Sequence, residues 1–407
     1  MQHLEYHTLE NGIRLIHQPT NGMVAHCGLF INTGSRNEKE DEHGMVHFIE
    51  HMIFKGTSKR KAFHILSRLE DTGGELNAYT TKEETVIHAS FLNHDYERAM
   101  ELIGDIVFHS VFPPKEIKRE KEVVIEEINS YKDSPGELIF DDFEEIVFRN
   151  HPVGRNILGT IDSVKAFSRD KILSFLRNNY FTDQMVFCSV GNIDIKRLTR
   201  LFNKYFSVVP SKPFIPQAKP QFMYSPVNVT RKLDTYQNHC IIGNIAYDIG
   251  DERRVGMSLL NNLLGGQGLN SRLNLSLRER RGFAYNVESS YNPYYDTGIF
   301  CVYFGTDSQN LEKSISIAIK EMDQLRWKPL GSIQLSKAKS QVKGYLARGY
   351  ENHESLMLSM GKSMLAFNKI DSIEYICRKI DEVDSSKLLE IANEVLDSTR
   401  FSYLVYK

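Results

Sequence analysis

The sequence predicts an α+β fold made of two similar domains, and three observations support this prediction. The chain has 407 residues, which exceeds the usual size of a single domain. Four of its twelve prolines lie between Val208 and Phe222, which is typical of an extended linker. Each half also shows the same order of predicted elements: strands, a buried helix, further strands and long helices. We therefore expect domains at residues 1–207 and 223–407, joined by a linker at 208–222.

Apolar periodicity and turn residues predict the individual elements. In the first half, strands are expected at residues 12–18, 25–34, 75–81 and 85–92. Helices are expected from about residues 44 and 61, and over 95–111 and 115–131. In the second half, strands are expected at 239–247, 284–291 and 298–305. Helices are expected there at 253–265 and 271–282, and after residues 308 and 331.

The first predicted helix of each half can be aligned with the other. When GMVHFIEHMIF is placed over GMSLLNNLLGG, three polar residues of the first half oppose residues that are mostly aliphatic: His47, Glu50 and His51 against Leu259, Asn262 and Leu263. This register indicates a duplicated domain whose second copy lacks the polar triad. Chance similarity between two amphipathic helices is the alternative.

Composition and charge exclude several classes of protein. Apolar residues make up 41% of the chain and charged residues 25%, as in ordinary soluble domains. The formal net charge is −2 and no long basic run occurs, so we expect no nucleic-acid partner. The N-terminal stretch is polar and acidic, and no apolar run approaches the roughly 18 residues of a membrane span. We therefore expect no membrane partner and a cytoplasmic location.

The stretch His47-Phe48-Ile49-Glu50-His51 places ionisable side chains in an otherwise apolar helix. His47 and His51 are four residues apart and lie one above the other, with Glu50 at the edge of the same face. A buried polar group without a partner costs roughly 2–7 kcal/mol, and a metal ion would satisfy this group. The pattern H-x-x-E-H is the inverzincin signature. A polar cluster inside a helix bundle is the alternative, and His43 is expected at the helix start.

A third metal ligand is expected from the helix predicted at residues 115–131. Glu120 and Glu127 are seven residues apart and therefore project from one face of that helix. Glu126 points about 100° away from Glu127 and is expected in solvent. The helix also has an apolar side that could pack against the first helix, formed by Val123, Val124 and Ile128.

Five stretches of the chain resemble blocks of the pitrilysin and insulinase family of zinc metallopeptidases, in the family's order. They are HFIEHMIFKGT, GGELNAYTTKEET, REKEVVIEEI, HPVGRNILGT and SRLNLSLRERRGFAYNVESSY. The resemblance is greatest to mitochondrial processing peptidase and its two-domain bacterial relatives. It implies two homologous domains, each with a mixed sheet covered by helices on one side. It also implies a clam-like homodimer that encloses a chamber.

The resemblance further implies roles for the residues of the metal site. One Zn²⁺ per chain would be bound by His47, His51 and Glu127, because the family's third ligand follows the second histidine by about 76 residues. Glu120 would not bind the metal itself but would orient one of the metal ligands. Glu50 would take a proton from the zinc-bound water and pass it to the leaving amine.

Substrate-binding residues are also implied by the resemblance. The strand in GGELNAYTT would be a sheet edge at which Asn77, Ala78 and Tyr79 bind the peptide backbone. From the residues alone, a plain surface strand after a glycine turn is the alternative. Arg278 and Tyr285 of the second half would hold the peptide and the oxyanion. The segment GGQG (265–268) matches the family's glycine-rich segment only in part and is also typical of a turn.

The expected function is that of a zinc endopeptidase acting on peptides or unfolded segments enclosed in a chamber. One alternative is a subunit of a heteromeric peptidase that needs an unlike partner. Others are a non-catalytic binding subunit and a metal-dependent hydrolase of non-peptide amides. All residues that match the family's zinc site are present, which disfavours a non-catalytic subunit.

Overall fold

The computed structural model describes residues 4–215, 222–233 and 235–407. The strands of the first half are β1 (Glu5–Thr8), β2 (Arg14–Pro19), β3 (Val24–Ile31), β4 (Glu75–Thr80), β5 (Thr85–Leu92) and β6 (Met185–Gly191). Its helices are α1 (Met45–Ile53), α2 (Ala62–Glu70), α3 (Tyr96–Phe108), α4 (Pro114–Lys132), α5 (Pro135–Val147), α6 (Ile161–Ala166), α7 (Arg169–Asn179) and α8 (Ile195–Phe206).

The second half has five described strands and six described α-helices. The strands are β7 (Asn228–Arg231), β8 (Asn238–Ala246), β9 (Ala284–Pro293), β10 (Gly298–Thr306) and β11 (Ser402–Tyr406). The helices are α9 (Arg254–Gly265), α10 (Leu311–Trp327), α11 (Ser332–Glu351), α12 (His353–Phe367), α13 (Ile373–Asp381) and α14 (Ser385–Val395). Over Asn274–Glu279, within the helix predicted at 271–282, the chain forms a π-helix.

The first compact unit comprises the described residues within 1–129, 155–218 and 348–372. Its six-stranded sheet has the order β1-β2-β6-β3-β5-β4, parallel between β2 and β6 and antiparallel elsewhere. One face of the sheet packs on α1, α3 and neighbouring helices, in a core that contains Phe48, Met52 and Phe187. The opposite face packs on α12 through Met357 and Met360. The sheet is therefore buried on both faces.

The second compact unit comprises the described residues within 130–154, 219–347 and 373–407. Its five-stranded sheet has the order β7-β11-β8-β10-β9, parallel between β7 and β11 and antiparallel elsewhere. One face packs on α9, α10 and α14 in a core that contains Leu260, Met322 and Ile391. The other face packs on α5 through Ile139 and Phe143.

The two sheets share one topology. Without β1, the first sheet has the order β2-β6-β3-β5-β4, with the same parallel and antiparallel pairs as β7-β11-β8-β10-β9. Helix α1 follows β3 and helix α9 follows β8, so the two helices occupy matching positions in the chain order of the two sheets. This agreement supports the predicted duplication of a mixed-sheet domain.

The predicted domain boundaries, 1–207 and 223–407, assign two helices to a different unit from the one in which the structure places them. Helix α5 belongs to the second unit although it lies in the first half of the sequence, and α12 belongs to the first unit. These two helices cover the second face of each sheet, which the expectation of helices on one side did not include. Their burial depends on strands more than 90 residues away in sequence, so local periodicity did not indicate it. Part of the predicted linker, residues 216–221, lies outside the described residues.

None of the described helices combines the length and apolar character that a membrane crossing requires.

Candidate metal centre

Helix α1 begins at a tightly constrained turn. Its N-cap residue, Gly44, has φ 88°, and a Cβ there would lie 2.6 Å from the backbone oxygen of Leu158. The carboxylate of Glu38 accepts hydrogen bonds from the backbone N–H groups of Gly44 and Val46, both at 2.8 Å. Burial raises the pKa of Glu38 to about 8, although the two N–H groups favour its charged form. These contacts fix the start of the helix that carries His47.

His47, His51 and Glu127 form one compact cluster between α1 and α4. One potential ligand atom from each residue lies within 4.8 Å of the others. His47 Nε2 lies 3.7 Å from Glu127 Oε1, and His51 Nε2 lies 3.4 Å from Glu127 Oε2. In the described part of the chain, no other group of histidine, cysteine and carboxylate side chains meets this distance. The structure thus brings together the three residues predicted to bind metal.

The opposite nitrogen of His51 contacts Glu120. His51 Nδ1 and Glu120 Oε1 are 2.9 Å apart, and the other oxygen of Glu120 lies 2.8 Å from Lys55 Nζ. Only 4% of Glu120 is exposed, so this carboxylate needs both partners. Because the carboxylate of Glu120 accepts a hydrogen bond from Nδ1 of His51, Nε2 is the ring nitrogen that faces Glu127. Lys55 was not recognised as a candidate from the sequence. It lies in HFIEHMIFKGT, which resembles a block of the family, but nothing in that stretch indicated a role for the lysine.

The electrostatics of the cluster favour a positive charge between these groups. Burial lowers the pKa of His51, but contacts with Glu120 and Glu127 outweigh it and raise the pKa to about 9. Burial and the neighbouring His51 lower the pKa of His47 to about 4. Glu127 Oε2 is buried without a hydrogen bond. Two imidazole nitrogens and a carboxylate facing one another are a ligand set suited to zinc, so the residues fit this metal.

Glu50 is adjacent to the cluster in sequence and has a partner of its own. The hydroxyl of Thr80, the last residue of β4, donates a 2.7 Å hydrogen bond to Glu50 Oε2. Burial raises the pKa of Glu50, and the Thr80 bond and His51 oppose this rise. Glu50 is therefore held beside His47, His51 and Glu127 without being part of this group of potential ligands.

Other residues of α1 and α4 occupy the positions that the sequence indicated, with one exception. Glu126 is exposed, whereas Val124 and Ile128 are in the same core as α1. Val123 is 49% exposed, so its expected packing against α1 is wrong. It lies next to the buried Val124 but about 100° around the helix, which turns it toward solvent. His43 Nε2 lies 2.8 Å from the backbone oxygen of Asn156.

The predicted substrate strand, β4, is an edge strand. It pairs only with β5 among the described strands. Leu76 and Ala78 pack against the core that contains α1, whereas the exposed Asn77 and the half-buried Tyr79 lie on the opposite face. An edge strand has backbone groups on its outer side that no described strand pairs, and the Asn77 side chain points away from the α1 side.

Arg278 and Tyr285 are neighbours within the second unit. The Arg278 guanidinium lies over the Tyr285 ring at 5.0 Å from its centroid, and 73% of Tyr285 is exposed. Arg278 is part of the π-helix at Asn274–Glu279, a type of turn that is frequent at functional sites. Helix α9 has Leu259, Asn262 and Leu263 where α1 has its polar triad, and the GGQG segment begins at its C-terminal end.

The chain is similar to proteins of one peptidase family. A family model described as insulinase (peptidase family M16) matches residues 14–161, and one described as the peptidase M16 inactive domain matches residues 166–342. An uncharacterized zinc protease of Bacillus subtilis is 33% identical over 397 residues, covering 96% of this chain and 95% of that protein. An uncharacterized zinc protease of Streptomyces coelicolor is 32% identical, covering 96% and 86%.

Solved structures share the fold. A protease from Helicobacter pylori superimposes with a TM-score of 0.90 at 20% identity and covers 100% of both chains. A structure from Pseudomonas fluorescens, described as a peptidase M16 inactive domain, gives a TM-score of 0.92 at 17% identity, covering 99% of this chain and 97% of the other.

The matched family models and the names of the relatives support a zinc peptidase at the level of the family. The chain belongs to the pitrilysin and insulinase family, peptidase family M16, whose matched relatives are named zinc proteases. The match of the second half to the inactive domain of the family agrees with the aliphatic residues on α9.

Proposed function

We propose that this protein is a zinc-dependent endopeptidase that cleaves peptides or unfolded protein segments. The observation that supports this function most strongly is the placement of four side chains. His47, His51 and Glu127 face one another, and Glu50 is held beside them by a separate hydrogen bond. This arrangement provides three ligands and a carboxylate that is left for proton transfer.

One Zn²⁺ per chain would be held by His47 Nε2, His51 Nε2 and a carboxylate oxygen of Glu127. When bound, zinc lowers the pKa of water to about 7 and polarises a substrate carbonyl. Glu120 keeps His51 in the tautomer that carries its proton on Nδ1, because its carboxylate accepts from that nitrogen.

Glu50 is proposed as the general base and then the general acid. Its carboxylate would accept a proton from the attacking water and deliver that proton to the amine leaving the cleaved peptide bond. Burial raises the pKa of Glu50 from its usual value, which makes it a stronger base than an exposed glutamate. The proton would be held at the carboxylate between the two transfers.

The substrate is proposed to bind as an added strand at β4. Backbone groups of Asn77, Ala78 and Tyr79 would pair with an extended peptide, so a folded protein, whose backbone groups are already paired, would be excluded. Arg278 and Tyr285 would hold the peptide and the carbonyl oxygen as it becomes negative. We also propose that two copies of the chain form a homodimer enclosing a chamber for the peptide.

Metal analysis combined with peptide cleavage tests this function. Purified protein should contain one zinc per chain, cleave members of a mixed peptide library at internal bonds, and lose activity after removal of the metal by a chelator. Activity should return when zinc is added back. Zinc-loaded protein that cleaves no peptide alone, but does so after addition of an unlike partner, would favour a heteromeric peptidase. Protein that binds no zinc and cleaves nothing would indicate a binding subunit.

A further inference from the structure

A single hydrogen bond connects the edge strand β4 with the carboxylate of Glu50. Thr80 Oγ1 lies 2.7 Å from Glu50 Oε2, with the hydroxyl as donor and the carboxylate as acceptor. Both side chains are half-buried. A hydrogen bond to a charged group is shorter and stronger than one between neutral groups, particularly away from bulk water. Thr80 therefore restricts the orientation of the Glu50 carboxylate.

Strand packing determines where the Thr80 hydroxyl lies. Side chains of a strand alternate between its two faces, so Leu76, Ala78 and Thr80 share one face of β4. Leu76 and Ala78 pack against the core that contains α1. The backbone of Thr80 pairs with Thr85 of β5, next to the turn that joins the two strands. Thr80 is thus fixed at both its backbone and its side chain.

We propose that Thr80 is a positioning residue for the general base. This inference rests on the proposed function, because it concerns the carboxylate that would move the proton. Thr80 engages Oε2 of Glu50, so Oε1 would be the oxygen that accepts the proton. Without the hydroxyl, the carboxylate can rotate about its side-chain torsions, and fewer of its orientations accept the proton.

The same strand would then position both the substrate and the base. Residues 77–79 of β4 are proposed to bind the peptide backbone, and Thr80 follows them directly. Because Thr80 acts on Glu50 and not on the peptide, its loss should lower kcat and leave KM nearly unchanged.

Two substitutions distinguish the effect of the Thr80 hydroxyl from the effect of the side-chain shape on the strand. Thr80→Val removes the donor and keeps the β-branched shape that a strand favours, whereas Thr80→Ser keeps the donor and removes a methyl group. We expect kcat of Thr80→Val to fall by about 10- to 100-fold, as the loss of a hydrogen bond to a charged group implies. KM should change by less than about twofold, zinc content should stay at the wild-type level, and Thr80→Ser should retain most of the activity.

Steady-state kinetics on one peptide, with zinc content measured on the same samples, decides the question. Thr80→Val with wild-type kcat, or Thr80→Ser impaired as severely as Thr80→Val, would overturn the role of the hydroxyl. If Thr80→Val loses zinc or unfolds, Thr80→Ala replaces it under the same criteria. Active wild-type protein with an unimpaired Thr80→Val variant overturns this inference alone. Wild-type protein that cleaves no peptide overturns the proposed function and the role of Thr80 together.

Discussion

Glu120 Oε1 lies 2.9 Å from Nδ1 of His51, whereas the other ring nitrogen of His51, Nε2, meets Glu127. Lys55, four residues after His51 and beyond the end of α1, contacts the second oxygen of the same carboxylate at 2.8 Å. A nearly buried carboxylate is thus shared between a proposed zinc ligand and a lysine. The lysine compensates the charge of Glu120, so that Glu120 can orient His51 at a lower cost of burial.

Lys55→Met should weaken zinc binding. The substitution keeps much of the side-chain length but removes the charge that Glu120 contacts, so His51 loses part of its support. Loss of such outer partners lowers metal affinity by about 10–100-fold, and we expect a value near the lower end because Lys55 acts through Glu120. Competition with a chelator measures the affinity, and Lys55→Arg is the charge-preserving control. Equal zinc affinity in Lys55→Met and wild type would show that Glu120 needs no such partner.

Glu127 and its neighbour Glu126 provide a matched pair for the third ligand. Glu127→Gln should lose most of its zinc, because a neutral amide oxygen replaces a charged ligand. Glu126→Gln removes the same charge one position away, on the exposed side of α4, and should keep a full complement of zinc. Elemental analysis of the two purified variants compares them directly. Full zinc in Glu127→Gln would exclude Glu127 as a ligand.

The geometry of the candidate metal site was largely predictable from the sequence, because the residues that each helix contributes are close to one another in sequence. The i, i+4 spacing places His47 and His51 on one face of α1. The seven-residue spacing does the same for Glu120 and Glu127 on α4, although the family resemblance was needed to distinguish their roles. Thr80 and Lys55 were missed, since their partners depend on how β4 and α4 pack against α1. No periodicity within a single element contains that information.

The packing of α5 and α12 was not predicted, for a similar reason. Helix α12 has apolar residues that could cover any sheet, and its contact with Phe30 joins positions more than 300 residues apart. The sequence signal for duplication was sufficient to predict two similar sheets. It could not indicate that one helix from each half of the sequence packs on the sheet formed by the other half.

Gly361 should be essential for packing α12 on the first sheet. A Cβ at this position would lie 2.3 Å from ring atoms of Phe30, so Gly361→Ala forces the helix or the ring to move. Such overpacking typically costs about 1–3 kcal/mol of unfolding free energy. Gly344→Ala on α11 is the control, because a Cβ there meets no neighbouring atom within 4 Å and alanine favours a helix by about 1 kcal/mol. Urea unfolding should show a loss for Gly361→Ala and none for Gly344→Ala; equal stabilities would contradict the packing described.

Tyr285→Phe tests whether the second half contributes to the chemical step. The substitution removes one hydroxyl and leaves the ring that stacks with Arg278. If this hydroxyl stabilises the oxyanion, kcat should fall at least about tenfold, since the loss of such a donor commonly costs 10²–10³-fold. Zinc content and thermal unfolding should remain normal. Tyr236→Phe, at a fully exposed tyrosine, is the control. Unchanged kcat and KM in Tyr285→Phe would limit catalysis to residues of the first unit.

The most direct test of the account is a single variant, Glu50→Gln, measured for zinc and for peptide turnover in the same preparation. Glu50 is outside the group of potential ligands and keeps a hydrogen-bond partner in Thr80, so the variant should fold and contain one zinc per chain. An amide cannot accept the proton of the attacking water, and turnover should fall by at least about 100-fold. Turnover near the wild-type rate with zinc present would contradict the role of Glu50 as the general base. Loss of zinc would instead place Glu50 among the ligands.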